Sequence, residues 1–197
     1  MFYKLIVITT PEFFVGEAAI LNQLFRAGLK RLHIRKPQSK REDIVRLINK
    51  IEMPFRKRIA VHYHKQLVIE MGLGGMHFGY PEISTQPDLA DFNYMVSCSV
   101  HQWSEFESLR NKTDYCFISP VFDSISKSDY QANKTLKQVP ASAKNVYALG
   151  GITVNNFEKV LENGYAGIAV LGHLWEDKNL TLQRFNNLQE KMYAYGI

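Results

Sequence analysis

Several short stretches of the chain gather side chains suited to binding anions. In His33-Ile34-Arg35-Lys36-Pro37, His33 and Arg35 stand two residues apart, so an extended strand puts them on one face, with Lys36 beside them. Desolvating an arginine is costly unless an anion meets it, and a phosphate or diphosphate matches its paired donors. An internal carboxylate such as Glu82 or Asp123 would also serve, and Lys36 is free to face solvent. In Leu149-Gly150-Gly151-Ile152-Thr153 the paired glycines let backbone N–H groups approach a phosphate, and Val154-Asn155-Asn156 then opens a helix whose N-terminus favours negative charge. A second glycine-bearing element, Gly167 to Gly172 with Leu171 inside it, follows. Each glycine alone would read as a tight turn, but two such elements in succession point to a phosphate site.

Ser119-Pro120-Val121-Phe122-Asp123-Ser124-Ile125-Ser126-Lys127-Ser128 carries hydroxyls, Ser124 among them, and the cation Lys127. Such a segment can close over a polyphosphate and exclude water, or be an ordinary surface loop. His62, His64, His77 and His101 offer acid–base chemistry, although a lone strand histidine is more often a hydrogen-bonded structural group. Glu82 is placed to hold Mg²⁺ together with substrate oxygens. There is neither a CxxC pair nor an HExxH helix, so no zinc site is expected.

The elements that must position these groups follow from periodicity. Short apolar runs rich in β-branched and aromatic residues occur at Tyr3–Thr9, Arg31–Arg35, Arg58–His62, Gly75–Phe78, Tyr94–Ser97, Asp114–Ser119, Asn145–Leu149 and Gly167–Leu171. Amphipathic stretches lie between or after them at Gly16–Ala27, Lys40–Ile51, Lys65–Met71, Ser104–Leu109, Val154–Glu162 and Thr181–Tyr195. Strand and helix alternate, and the strand count favours a closed (β/α)8 barrel, an α/β fold in one domain over residues 1–197. The connection Gly79–Asn93 is rich in Pro, Ser and Asp with no helical period, and Ser119–Gln138 is long and polar. In such a barrel the site forms at the C-terminal strand ends, with phosphate often bound after strands seven and eight. The anion-binding stretches fall at those ends.

Bulk properties narrow the field. At 197 residues with 46% hydrophobic and 22% charged, the chain has a globular composition, and a barrel must be built with short loops. The net charge of +5 is spread through the helices, with small groups at Lys36–Arg41 and Arg56–Arg58, so neither a nucleic-acid stripe nor a membrane-binding surface is expected. The apolar start, Met1 to Ile8, is too short for a signal h-region or a membrane span, which suits a cytoplasmic protein. Cys98 and Cys116 fit reduced thiols in buried strands, with a cross-strand bond as the alternative.

Taken together, Leu32-His33-Ile34-Arg35-Lys36, Gly74-Gly75-Met76-His77-Phe78-Gly79, Ser97-Cys98-Ser99-Val100-His101, Ser119-Pro120-Val121-Phe122 and Ala148-Leu149-Gly150-Gly151-Ile152 resemble, in order and spacing, the thiamine phosphate synthases and related thiazole tautomerases. The resemblance implies a TIM barrel that joins hydroxymethylpyrimidine diphosphate to thiazole phosphate, using Mg²⁺, with phosphorylated pyrimidine and thiazole molecules as its partners. A homodimer is compatible with it. It implies that Arg35, Lys36, Lys127 and Ser99 hold diphosphate, that His62 meets the pyrimidine, and that Glu82 holds the metal. The thiazole phosphate falls to Gly151, with Gly150, Leu171 and Gly172. His33 stands at a family glutamine, His62 at an asparagine, and Pro37 where the family has a lysine, which leaves Lys36 one position early. Tyr63 stands at a metal-binding aspartate, and a tyrosine is not the anionic oxygen that Mg²⁺ favours. Two other outcomes remain open: a tautomerase using His33, His62 or His101 as base, although Pro120 occupies that branch's histidine position, and a non-catalytic binder of thiazole or thiamine phosphate.

Overall fold

The structure is a computed structural model that describes residues 3–85, 89, 92–123 and 131–196. Eight strands run parallel and close into a barrel in chain order. They are β1 (Leu5–Ile8), β2 (Leu32–Ile34), β3 (Ile59–Val61), β4 (Gly75–Gly79), β5 (Met95–Val100), β6 (Tyr115–Ile118), β7 (Val146–Ala148) and β8 (Gly167–Val170). Closure is made by β1 pairing with β8, Leu5 opposite Ile168 and Val7 opposite Val170. Each strand lies within, or within three residues of, its run of apolar residues in the sequence. Both faces of a parallel barrel strand are buried, so those runs are continuous rather than alternating.

The helices are α1 (Glu17–Arg26), α2 (Arg41–Asn49), α3 (Gln66–Glu70), α4 (Tyr80–Thr85), α5 (Trp103–Leu109), α6 (Phe157–Glu162), α7 (Gly172–Trp175) and α8 (Thr181–Ala194). In α1, Leu21, Leu24 and Phe25 recur at helical spacing and are buried, as are Phe185, Leu188 and Met192 in α8. Each such side chain contributes about 1.5–3 kcal/mol by leaving water. Val7, Ile34 and Val61 on the outer strand faces share the apolar mantle with these helix residues. A separate cluster of Ile6, Ile8, Tyr115, Phe117, Tyr147 and Ala169 fills the lumen. Trp175 of α7 donates its indole N–H to the Ile8 carbonyl at 2.7 Å, tying the segment after β8 to the end of β1.

Two sequence expectations need correction. The Gly79–Asn93 connection does contain a helix, α4, whose six residues with Pro81 in the first turn are too short to show a period. The helix after the glycine pair begins at Phe157 rather than Val154, because residues 154–156 form turns. Neither α7 nor the short 3₁₀ segments Met53–Arg58, Lys134–Leu136 and Lys178–Leu180 were visible in the periodicity. Cys98 and Cys116 are register partners on β5 and β6, and both are free thiols. Burial pushes Cys116 up to about 11 and Cys98 higher still, so both are protonated and unreactive at neutral pH.

Candidate active site

The C-terminal strand ends surround a cavity of about 830 Å³. Arg35 after β2, His62 and Tyr63 after β3, His77 and Gly79 on β4, Glu82 on α4, and Ser99 and His101 at β5 line part of it. Gly150, Gly151 and Ile152 after β7 and Leu171, Gly172 and His173 after β8 line the remainder. Phe117, Ile8 and Ala169 supply an apolar floor. Of the residues singled out from sequence, Arg35, His62, Ser99, Glu82, Gly150, Gly151, Leu171 and Gly172 therefore share one cavity. Ser124 and Lys127 lie outside the described residues.

Arg35 is held by its backbone, whose N–H donates to Thr9 Oγ1 at 3.0 Å. Among the described residues no carboxylate forms an ion pair with its guanidinium.

Two expectations fail. Lys36 does not face the cavity: its ammonium lies 2.6 Å from Glu17 Oε1 and 2.8 Å from the Glu12 carbonyl, with its side chain fully buried. The carboxylate partner is thus Glu17 in the first turn of α1, not Glu82 or Asp123. Burial raises the Glu17 carboxyl and lowers the Lys36 ammonium, and the bond between them opposes both shifts. Nor does His33 line the cavity. It is fully buried beneath it, with Nδ1 3.0 Å from His62 Nε2 and Nε2 2.6 Å from the Tyr115 hydroxyl, so both ring nitrogens are already engaged.

The lumen beneath the cavity is a polar network in an apolar wall. Arg31, also fully buried, donates Nε–H to the Tyr115 oxygen at 2.9 Å. His77 sits between two hydroxyls of β5, Nδ1 2.9 Å from Ser97 Oγ and Nε2 2.8 Å from Ser99 Oγ. Burial holds His33 and His62 well below the usual imidazole range and His77 at about 3, with neighbouring imidazoles and arginines adding to the effect. These three rings are neutral at physiological pH. His101 donates Nδ1–H to the Ser119 carbonyl at 2.9 Å.

The glycine pair is shaped for close approach. Gly151 has φ +65°, and a Cβ there would stand 2.2 Å from the Asp123 carbonyl oxygen. The loop is pinned by Asn156, which donates Nδ2–H to the Gly151 carbonyl at 2.9 Å and accepts the Thr153 N–H at 2.8 Å. His173 was missed in the sequence. Its only signal is its place directly after Gly172 at a strand end, and burial lowers its pKa.

Glu82 is the one carboxylate lining the cavity among the described residues, and its Oε2 accepts weakly from the Gly79 N–H at 3.4 Å. Magnesium in phosphate sites is commonly held by one or two carboxylates plus substrate oxygens, so this donor set fits it only with a bound polyphosphate completing the shell. Tyr63 lies in the same wall and is not a second carboxylate.

A family model described as thiamine monophosphate synthase matches residues 5–174. A thiamine-phosphate synthase of Halalkalibacterium halodurans is 21% identical over 203 residues, covering 96% of each chain. The crystal structure of thiamine phosphate pyrophosphorylase from Bacteroides thetaiotaomicron superposes with a TM-score of 0.77 at 29% identity, covering 97% of this chain and 98% of that one. A thiamine phosphate pyrophosphorylase from Pyrococcus furiosus shares the fold with a TM-score of 0.80 at 20% identity, covering 97% of this chain and 96% of that one.

Proposed function

The chain belongs to the thiamine monophosphate synthase family, and from that premise we propose that it acts in thiamine biosynthesis as a transferase, coupling hydroxymethylpyrimidine diphosphate to thiazole phosphate. In this reaction the C–O bond between the pyrimidine methylene and the diphosphate breaks, diphosphate leaves with the electron pair, and the thiazole nitrogen forms the new C–N bond. The observation that carries the reading is one cavity lined both by Arg35 and Ser99 at the ends of β2 and β5 and by Gly150–Gly151 and Leu171–Gly172 after β7 and β8. One region suits the departing diphosphate and the other the phosphate that stays on the product.

Arg35 offers paired N–H donors to diphosphate oxygens, a charge-assisted contact that strengthens as negative charge develops on the leaving group. Ser99 can donate its hydroxyl to the same group. The glycine loops bind the second phosphate through backbone N–H groups without a side chain in the way. Phe117, Ile8 and Ala169 give the reacting carbon an apolar surface that keeps water from it. His62, neutral and at the cavity wall, meets the pyrimidine. Magnesium, when bound, would be held by Glu82 and would supply positive charge to the departing diphosphate. Lys127, outside the described residues, belongs to this reading as a further diphosphate contact. Phosphorylated pyrimidine and thiazole molecules are its partners, and a cytoplasmic location and a homodimer are consistent with it.

The relatives' names favour the synthase over tautomerisation. Incubation with both precursors and Mg²⁺ is expected to give thiamine phosphate and one diphosphate per turnover. Conversion of the carboxythiazole isomer without the pyrimidine, and no thiamine phosphate at high enzyme concentration, would replace the transferase with a tautomerase. Phosphate-dependent thermal stabilisation with neither product would indicate a binder.

A further inference from the structure

The cavity floor contains a cluster that the transferase reading does not use as a unit. His33 of β2, His62 after β3 and His77 of β4 come from three consecutive strands, and each offers one ring nitrogen within 4.8 Å of the others'. His62 and His77 stack with ring centroids 4.1 Å apart at 30°, and His33 meets both edge-on at 5.2 and 5.1 Å. The cluster brings three imidazole nitrogens together with no carboxylate among them.

The geometry points to His33, His62 and His77 as a three-nitrogen site for a divalent transition metal such as Zn²⁺, with its open coordination position facing the cavity. Tetrahedral zinc with bonds of about 2.1 Å places ligand nitrogens about 3.4 Å apart, so the trio reaches a common ion through side-chain shifts of about 1 Å. The outer nitrogens are already held. His33 Nε2 is anchored on the Tyr115 oxygen and His77 Nδ1 on Ser97 Oγ, so His33 Nδ1, His62 Nε2 and His77 Nε2 are the ligating atoms, the last exchanging its contact with Ser99 Oγ for the metal. Metal-bound histidines typically donate their second N–H to such partners, which fixes the ring and the tautomer. In the metal-bound form His33 carries its proton on Nε2 and donates it to Tyr115, instead of carrying it on Nδ1 towards His62. The ring stays neutral and no proton is lost.

Burial keeps all three rings unprotonated, which is the state a metal ligand needs. His62 and His77 both line the cavity, so the fourth position opens on the space that Arg35 also faces. Arg31 and Arg35 add positive charge nearby, which opposes a bare dication and favours one carrying an anion as its fourth ligand. The metal and Arg35 therefore bind an anion jointly, and metal affinity rises when phosphate is present. An all-imidazole set suits zinc, cobalt, nickel or iron and discriminates against magnesium, which wants oxygen. This site is distinct from the Glu82 position and stands or falls independently of thiamine phosphate formation.

The test is a titration of chelator-treated, tag-free protein with Co²⁺, read by the visible d–d bands of low-coordinate cobalt, and with Zn²⁺ in competition against a chromophoric chelator. One equivalent per chain is expected for the wild type and for His64→Ala, which removes an exposed histidine outside the cluster. His62→Asn and His33→Gln, which keep a hydrogen-bonding side chain but no imidazole, are expected to lose that equivalent while circular dichroism shows the barrel intact. Inorganic phosphate should tighten Co²⁺ binding at least about threefold, and excess Mg²⁺ should not displace it. A wild-type protein that binds no stoichiometric Co²⁺ or Zn²⁺, or a folded His62→Asn protein that binds as well as wild type, would overturn the site. Should His62→Asn unfold, His77→Asn and the Mg²⁺ competition decide the same question. Turnover without cobalt binding would refute only the metal site, and cobalt binding without turnover only the transferase.

Discussion

Lys36 Nζ lies 2.6 Å from Glu17 Oε1, with the two side chains 0% and 2% exposed. A cation that sits next to Arg35 in the sequence is thereby withdrawn from the cavity and made part of the packing between β2 and α1. Removing one partner of a buried pair leaves the other charge unpaired, at a cost of about 3–5 kcal/mol. Lys36→Met and Glu17→Gln should each lower stability by that order in urea unfolding, and the Glu17→Leu/Lys36→Met double variant by much less. Where the single variants remain folded, diphosphate affinity should be nearly unchanged. A loss of affinity as large as that caused by removing Arg35 would return Lys36 to the site.

Arg35 is the opposite case, with its guanidinium facing the cavity and no ion pair among the described residues. Hydrogen bonds to charged groups contribute about 1.5–3 kcal/mol, so Arg35→Ala should weaken diphosphate binding roughly tenfold to 150-fold in calorimetry. Unfolding free energy should change little. Unaltered affinity would remove Arg35 from the diphosphate site.

Gly151 combines φ +65° with a carbonyl oxygen where a side chain would begin. Gly151→Ala forces the Asp123 backbone to move and strains the loop, costing at least about 1 kcal/mol. Thiazole phosphate binding should fall at least tenfold, while diphosphate binding is spared. Equal loss of both ligands would mean that the two anion regions are not separate.

The neutral histidines make stability depend on acid in a defined window. Above about pH 6.5 folded and unfolded chains hold the same protons on His77. As pH falls from there towards about 3, the unfolded chain takes up a proton that the buried ring resists, so stability is progressively lost. The slope from this ring alone approaches about 1.4 kcal/mol per pH unit within the window. His77→Asn should flatten the fall in unfolding free energy between pH 6 and pH 4, an interval of about two units inside that range. An unchanged slope would show that the ring is protonated in the folded chain.

The barrel was readable because its strands are buried on both faces and so stand out as apolar runs, and because their number closes the sheet. The rim site was readable for the same reason, since residues just past those runs must lie at one end. Pairings across the fold were not readable. Glu17 meets Lys36 only because the chain between β1 and α1 folds back over β2, and nothing in residues 9–17 announces that turn. The Tyr115 hydroxyl reaches His33 across 82 residues, a contact that exists only once the barrel has closed. The spacing placed His33 and Arg35 on one face of β2, but their depth was not readable. Arg31, His33 and Arg35 occupy successive levels of the lumen, and only Arg35 reaches the cavity. Helix α4 escaped notice because six residues are less than two turns.

The most direct measurement is a crystal structure of the chain with inorganic diphosphate and thiazole phosphate bound. Diphosphate is expected on Arg35 and Ser99, with the thiazole phosphate on the backbone of Gly151 and Gly172, both inside the same cavity. Diphosphate seated away from Arg35, or a thiazole phosphate that avoids the two glycine loops, would contradict this.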